Sequence, residues 1–186
     1  MFEIEKVETV HDGWGRFMLA TVRNGAGERF RRQIEDHGGA VCVLPYDPDR
    51  RCVTLVRQIR IGPLFAGADA ILLEAPAGLT DGEAPEMAGR REVEEETGIA
   101  LKEVEPAGSH WSMPGCATER MHFFLAAYGQ GDRVSDGGGV AHEHEDIEVV
   151  ELPFAETFVM IRDGRICDMK TVLVLQALAL RHPELL

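Results

Sequence analysis

The stretch REVEEETGIA, residues 91–100, constrains this chain more than any other. It carries carboxylates at Glu92, Glu94, Glu95 and Glu96, four within five positions. Pro85 suits the first turn of a helix, where its missing N–H is not needed. Gly98 suits the position just past a helix end. These boundaries predict a helix of about 13 residues. Helical spacing sets Glu92 and Glu96 one turn apart on one face, with Glu95 beside them. Glu94 falls on another side, and Val93 is offered to the core. Like charges at i,i+4 cost about 0.2–0.5 kcal/mol per pair in an isolated helix. Negative charge late in a helix also opposes its dipole. The run therefore works against stability unless a cation offsets it. One reading is a solvated acidic face with Arg90 and Arg91 as partial partners. The other is a hard-cation site: carboxylate oxygens suit Mg²⁺ or Mn²⁺, whereas zinc would want His or Cys.

The surrounding pattern is mixed. RFMLATVR (16–23) and ERFRRQIE (28–35) flank NGAG, a hairpin signal. AVCVLPY (40–46), CVTLVRQIR (52–60) and AILLEAP (70–76) read as strands, and AGLTDGE (77–83) as a loop. Strands resume at 101–110, 119–128 and 147–152. Residues 129–144, rich in Gly, Asp and His, read as a mobile loop. PFAETFVMIRDG (153–164) reads as a helix between Pro and Gly, and KTVLVLQALALRH (170–182) as an apolar final helix. Strands, helix, strands, helices in that order favour an α/β (α+β) layered domain over a regular βαβ repeat. At 186 residues the chain suits one domain with a sizeable core.

The formal net charge of −13 comes with no basic stripe, which argues against a nucleic-acid partner. An acidic protein acting on an anion would need to recruit a cation. Cys42, Cys52, Cys116 and Cys167 form no CxxC pair and no zinc pattern. The N-terminus has neither a basic nor an apolar leader region, and no apolar run approaches the ~20 residues of a membrane span. These features point to a reducing, cytoplasmic setting with four free thiols and no membrane partner.

Residues 78–99, GLTDGEAPEMAGRREVEEETGI, resemble the Nudix box, G-x5-E-x7-R-E-U-x-E-E-x-G-U with U aliphatic. From Glu83 onward, Arg91, Glu92, Val93, Glu95, Glu96, Gly98 and Ile99 fit in full. Ahead of Glu83 the pattern departs: four residues, not five, follow Gly78. The chain is thereby similar to the Nudix hydrolase superfamily. LVRQIR, LLEAPAGL, SMPGCATERMHFFLAAY and GGGVAHEHEDIEVVELPF resemble the branch that includes ADP-ribose pyrophosphatase and GDP-mannose hydrolase. The Gly-Gly-Gly and the short box resemble the GDP-mannose hydrolase side.

The resemblance implies a Nudix α/β/α sandwich with a mixed sheet at 39–186, preceded by a dimer-forming β-hairpin extension at 1–38. It implies Mg²⁺-dependent hydrolysis of a nucleoside diphosphate sugar, with Mn²⁺ as a substitute metal. GDP-mannose is the favoured substrate and ADP-ribose the runner-up. Glu92, Glu95 and Glu96 would face the metal, and the Ala77 carbonyl would complete the shell. Either Glu143 or Glu145 would be the general base. Arg91 belongs to the catalytic set chiefly as a brace for a glutamate. Arg57 and Arg60, at a strand end, offer guanidinium forks to phosphates, with Glu74 near the site through its neighbouring loop. Glu83 doubles as a helix-start charge. For Trp111 and Phe65, core packing outweighs stacking on a base. His142 and His144 read as surface residues, because Mg²⁺ favours oxygen. The apolar last helix suits either a homodimer contact or the core of its own chain.

Two readings of other classes compete. A nucleotide-sugar sensor on the same fold would usually have lost box glutamates, and this chain keeps them. An acidic calcium-binding domain would need an EF-hand loop, and that pattern is absent.

Overall fold

The computed structural model describes residues 1–140 and 146–186. The chain opens with three strands: β1 (Glu3–Asp12), β2 (Arg16–Arg23) and β3 (Arg29–Asp36). They form an antiparallel sheet in that order. The Asn-Gly signal marks the β2–β3 turn, where the Asn24 side-chain oxygen accepts from the Ala26 and Glu28 N–H groups at 3.0 Å each. The expected hairpin is therefore a three-stranded sheet. Strand β1 leaves no alternating signal in the sequence because it is exposed at nine of its ten positions, so no buried face imposes one. Cross-strand pairs hold it instead: Arg23 and Arg29 both bond Glu5, each at 2.8 Å. The sheet joins the rest of the chain where Glu35 N–H donates to the Cys116 carbonyl at 2.9 Å and Thr118 Oγ1 donates to Asp36 at 2.6 Å.

The main sheet has seven strands. They are β4 (Ala40–Asp47), β5 (Cys52–Ile59), β6 (Ile71–Glu74), β7 (Ala77–Leu79), β8 (Glu105–Trp111), β9 (Arg120–Ala127) and β10 (Glu148–Pro153). The path runs β10-β5-β4-β9-β8, with β6 on β5 and β7 on β4. The β4–β9 pair is parallel and the others are antiparallel, which makes the sheet mixed. Ala77–Leu79, expected in a loop, pairs with β4 from Ala40 to Cys42. A three-residue strand has too little pattern to announce itself.

Strand β4 is buried at every position, and its two faces feed two cores. Cys42, Leu44 and Tyr46 pack with residues of α3 (Phe154–Asp163) and α4 (Met169–Arg181), while Val41 and Val43 pack with Ala88 and Val93 of α2 (Pro85–Thr97). Helices on both faces give the α/β/α sandwich. A short helix α1 (Ile61–Phe65) had no sequence signal. Helix α2 begins at Pro85 and ends before Gly98, whose N–H bonds the Glu94 carbonyl at 2.9 Å. The apolar face of α4 is spent inside its own chain: Val174, Leu175 and Leu178 are fully buried. No helix among the described residues is long and apolar enough to cross a membrane.

Candidate active site

Val93 and Ala88 are fully buried and seat α2 on the sheet. Gly89 allows the close approach, because a Cβ there would stand 2.8 Å from Val43 Cγ2. Burying this stripe aims the glutamates. Glu96 is 2% exposed, Glu94 faces solvent, and Glu92 and Glu95 lie between these extremes. Arg91 braces the cluster, contacting Glu92 at 2.9 Å, Glu95 at 3.0 Å and Glu83 at 3.3 Å. Burial works against the Arg91 charge, but Glu92, Glu83 and Glu95 outweigh it and raise its pKa further. One guanidinium thus offsets three of the carboxylates around it.

Strand β7 runs against this helix. Gly78 lies under the Glu92 carboxylate, which occupies the space a side chain would need. The one-residue-short box is accommodated by a tight turn. Thr80 C=O accepts from Glu83 N–H at 2.8 Å, across Asp81 and Gly82. Both have positive φ, 48° and 84°, the combination that two-residue type I′ turns require.

A cleft of 410 Å³ lies here, lined among others by Glu92, Glu95, Arg91, Ala77, Gly78 and Arg60. Glu96 sits beneath rather than in the lining. The side-chain oxygens in the lining are the carboxylates of Glu92, Glu95 and Asp81, beside the backbone of Ala77, Gly78 and Leu79. That set fits a hard divalent cation, not zinc. Among the described residues no three His, Cys, Asp or Glu side chains converge into a metal cage. Mg²⁺ does not need one, since it keeps several waters and takes one or two carboxylates.

Strand geometry separates the two arginines of VRQIR. Residues three apart in extended chain point to opposite faces. Arg60 lines the acidic cleft. Arg57 bonds Glu148 at 2.6 Å and lines other clefts, including one of 650 Å³ that no residue of α2 lines. Glu74 is 1% exposed and engages Arg60 through two bonds, 2.9 and 2.8 Å. Its second cation is Lys170. Burial pushes the Glu74 carboxyl up, yet the Arg60 bond and the charges of Lys170 and Arg60 prevail, holding it below the usual carboxylate range. Glu74 reaches the cleft only by way of Arg60.

Neither Trp111 nor Phe65 packs in the core, contrary to expectation: they are 52% and 93% exposed. Neither lines the acidic cleft. The aromatic there is Trp14, 80% exposed and stacked on His37 at 5.0 Å between centroids. Its sequence signal was a tryptophan between two glycines, HDGWGR, at the β1–β2 turn. Glu143 and Glu145, and the histidines at 142 and 144, lie outside the described residues.

The segment leading toward them bonds to the end of α2 as far as Gly139. Gly138 and Gly139 donate N–H to the Glu96 and Glu95 carbonyls at 2.9 and 3.0 Å. Arg133 donates to the Thr97 carbonyl at 2.8 Å. Gly137, Gly138 and Gly139 all have positive φ, 70°, 107° and 79°, which only glycine adopts three times in succession without strain. Carbonyls that a helix end leaves unpaired are thus satisfied by the tri-glycine run.

A model of the NUDIX domain family matches residues 36–166. The GDP-mannose pyrophosphatase of Salmonella arizonae is 44% identical over 163 residues, covering 87% of this chain and 84% of that protein. That of Pectobacterium atrosepticum is 44% identical over 160 residues, covering 86% and 82%. In fold the chain is similar to a crystal structure titled an ADP compounds hydrolase, with TM-score 0.79 at 19% identity over 98% of this chain and 95% of that one. With the signature helix, the strand against it and most of the chain matched, this protein belongs to the Nudix hydrolase family.

Proposed function

We propose that the protein hydrolyses the pyrophosphate bond of a nucleoside diphosphate sugar, with GDP-mannose as substrate, releasing a nucleoside monophosphate and a sugar 1-phosphate. The observation that carries this is the cleft itself: the Glu92–Glu95 carboxylates and Arg60 line one cavity. Anionic oxygens and a guanidinium lining the same cleft suit a metal-bound pyrophosphate. The GDP-mannose pyrophosphatases at 44% identity support the choice of base and sugar.

Nudix hydrolases generally use a divalent metal. Here Glu92 and Glu95 in the lining, with the buried Glu96 beside them on the helix and the Ala77 carbonyl, would supply the one or two carboxylates and the carbonyl that hold Mg²⁺, or Mn²⁺ in its place. Bound there, the metal neutralises charge on the pyrophosphate oxygens and lowers the pKa of a water. Arg91 keeps Glu92 and Glu95 apart from one another's charge. Arg60 receives a phosphate oxygen through the donors it does not give to Glu74. Trp14 offers a face to a base. Glu143 or Glu145 takes the proton of the attacking water. Arg57, paired with Glu148 outside the cleft, is left without a part in phosphate binding.

We further propose that the N-terminal segment, residues 1–38, supports a homodimer. Ile4, Val7 and Val10 of β1 are 58%, 48% and 57% exposed, and an exposed strand with apolar side chains is a surface that proteins usually cover.

The test is a panel of GDP-mannose, ADP-ribose and other nucleotide sugars, with Mg²⁺ and with EDTA, scored by released phosphomonoester. Preferential Mg²⁺-dependent turnover of GDP-mannose is the expected result. Preference for ADP-ribose would transfer the substrate assignment, and no turnover of any compound would leave the sensor reading in its place.

A further inference from the structure

The first turn of α4 is fastened at two points to the chain that leads into the cleft. Lys170 Nζ bonds Glu74, and Thr171 Oγ1 accepts from the Ala75 N–H at 2.8 Å. Asp168 organises that turn: it caps the helix through the Thr171 N–H at 2.9 Å and pairs with Lys170 at 3.1 Å. Two residues beyond Ala75 is Ala77, in the cleft wall. Lys170 itself is not in the lining. Its side chain is 14% exposed, against 39% for Arg60 and 1% for Glu74.

The charges explain why a buried lysine belongs there. Glu74 alone would neutralise Arg60, the cation facing the acidic cleft. With Lys170 on the same carboxylate, Arg60 shares its counter-charge and keeps attraction to spare for an anion. Lys170 without Asp168 would in turn be an excess buried cation. Charges taken out of water are costly unless paired, and the Arg60–Glu74–Lys170–Asp168 chain alternates in sign throughout.

We infer that Lys170 is a positioning residue for phosphate binding: acting through Glu74, it holds Arg60 at the cleft wall with its charge incompletely compensated. The inference rests on the reading that this cleft receives a pyrophosphate. It assigns the α4 turn, far in sequence from the acidic helix, a part in affinity and not only in folding.

The test is a double-mutant cycle of Lys170→Met and Arg60→Met, read as the Kd for inorganic pyrophosphate with Mg²⁺ by titration calorimetry. The same variants are followed by KM for GDP-mannose. Lys170→Met is expected to weaken pyrophosphate binding about tenfold, the scale of one lost charge-assisted bond. In the Arg60→Met background the same change is expected to cost less than about twofold, because the effect passes through Arg60. Lys170→Gln, which keeps a donor to Glu74 but no charge, serves if Lys170→Met does not fold, and its expected loss is similar. Equal losses in both backgrounds, or a lower melting temperature with unchanged pyrophosphate affinity, would overturn the inference. Pyrophosphate binding does not depend on which nucleotide sugar is cleaved. A wild type that binds it but hydrolyses no nucleotide sugar would therefore count against the proposed function and leave the cycle decisive.

Discussion

The carboxylate of Glu92 lies directly over Gly78, so that a Cβ built on the glycine would stand 2.2 Å from the glutamate Cδ. The obstructing atoms are the far end of a flexible side chain, not backbone. Gly78→Ala should therefore fold, with Glu92 swung out of place. The expected outcome is a melting temperature within a few degrees of wild type and a loss of roughly 10²-fold in kcat/KM, the scale reached when a ligand is misplaced by about an ångström. Steady-state kinetics beside a thermal melt would check this. Full activity would mean that Glu92 has no part in the chemistry.

The helix carries its own control. Glu96 is buried in the cluster, whereas Glu94, two positions earlier, faces solvent. Glu96→Gln should lower kcat by about 10²-fold or more and raise the Mg²⁺ concentration needed for half-maximal rate. Glu94→Gln should change neither by more than about twofold, as expected of an exposed surface change. Mg²⁺ titrations of both variants separate a ligand effect from a general loss of negative charge.

Acid stability should report on Glu74. Its folded-state pKa is depressed from the ordinary glutamate value of 4.5, because, against the opposing effect of burial, the Arg60 bond and the charges of Lys170 and Arg60 favour the ionised form. Its ionised form therefore adds stability that is complete above about pH 4.5 and is lost as pH falls toward the folded pKa. Glu74→Gln removes that contribution and leaves Arg60 and Lys170 without their shared anion, a loss of about 3 kcal/mol at neutral pH. Melting temperatures across pH should show the wild-type advantage shrinking below pH 4.5. A constant gap at all pH values would contradict the assignment.

The tri-glycine cap is a stability element at the end of the acidic helix. A Cβ on Gly137 would stand 2.5 Å from the Glu96 carbonyl oxygen, which is backbone and cannot swing aside, and φ there is +70°. Gly137→Ala should cost about 2 kcal/mol or more, from strain and clash together. Urea unfolding would show it as a lower midpoint with an unchanged slope.

What the sequence determined by itself was whatever short-range chemistry decides. Pro85 and Gly98 bounded the acidic helix, Asn24 and Gly25 marked a hairpin turn, and the run Ala40–Tyr46 was apolar enough to announce a central strand. The order of the glutamates was legible for the same reason: helical geometry sorts Glu92, Glu95 and Glu96 from Glu94 with no help from the rest of the fold. Only the tertiary structure decided the remainder. Strand β1 and the three residues of β7 exist through pairing with distant partners, which leaves little trace in their own composition. Arg57 and Arg60 look alike in sequence, but Arg57 pairs across β5 with Glu148 while Arg60, just past the strand end, turns to Glu74 and the cleft. Glu74 is a buried anion between cations from positions 60 and 170, an environment its neighbours in sequence do not announce. Burial and electrostatic compensation depend on what the folded chain brings together, and no local pattern encodes partners more than ninety residues apart.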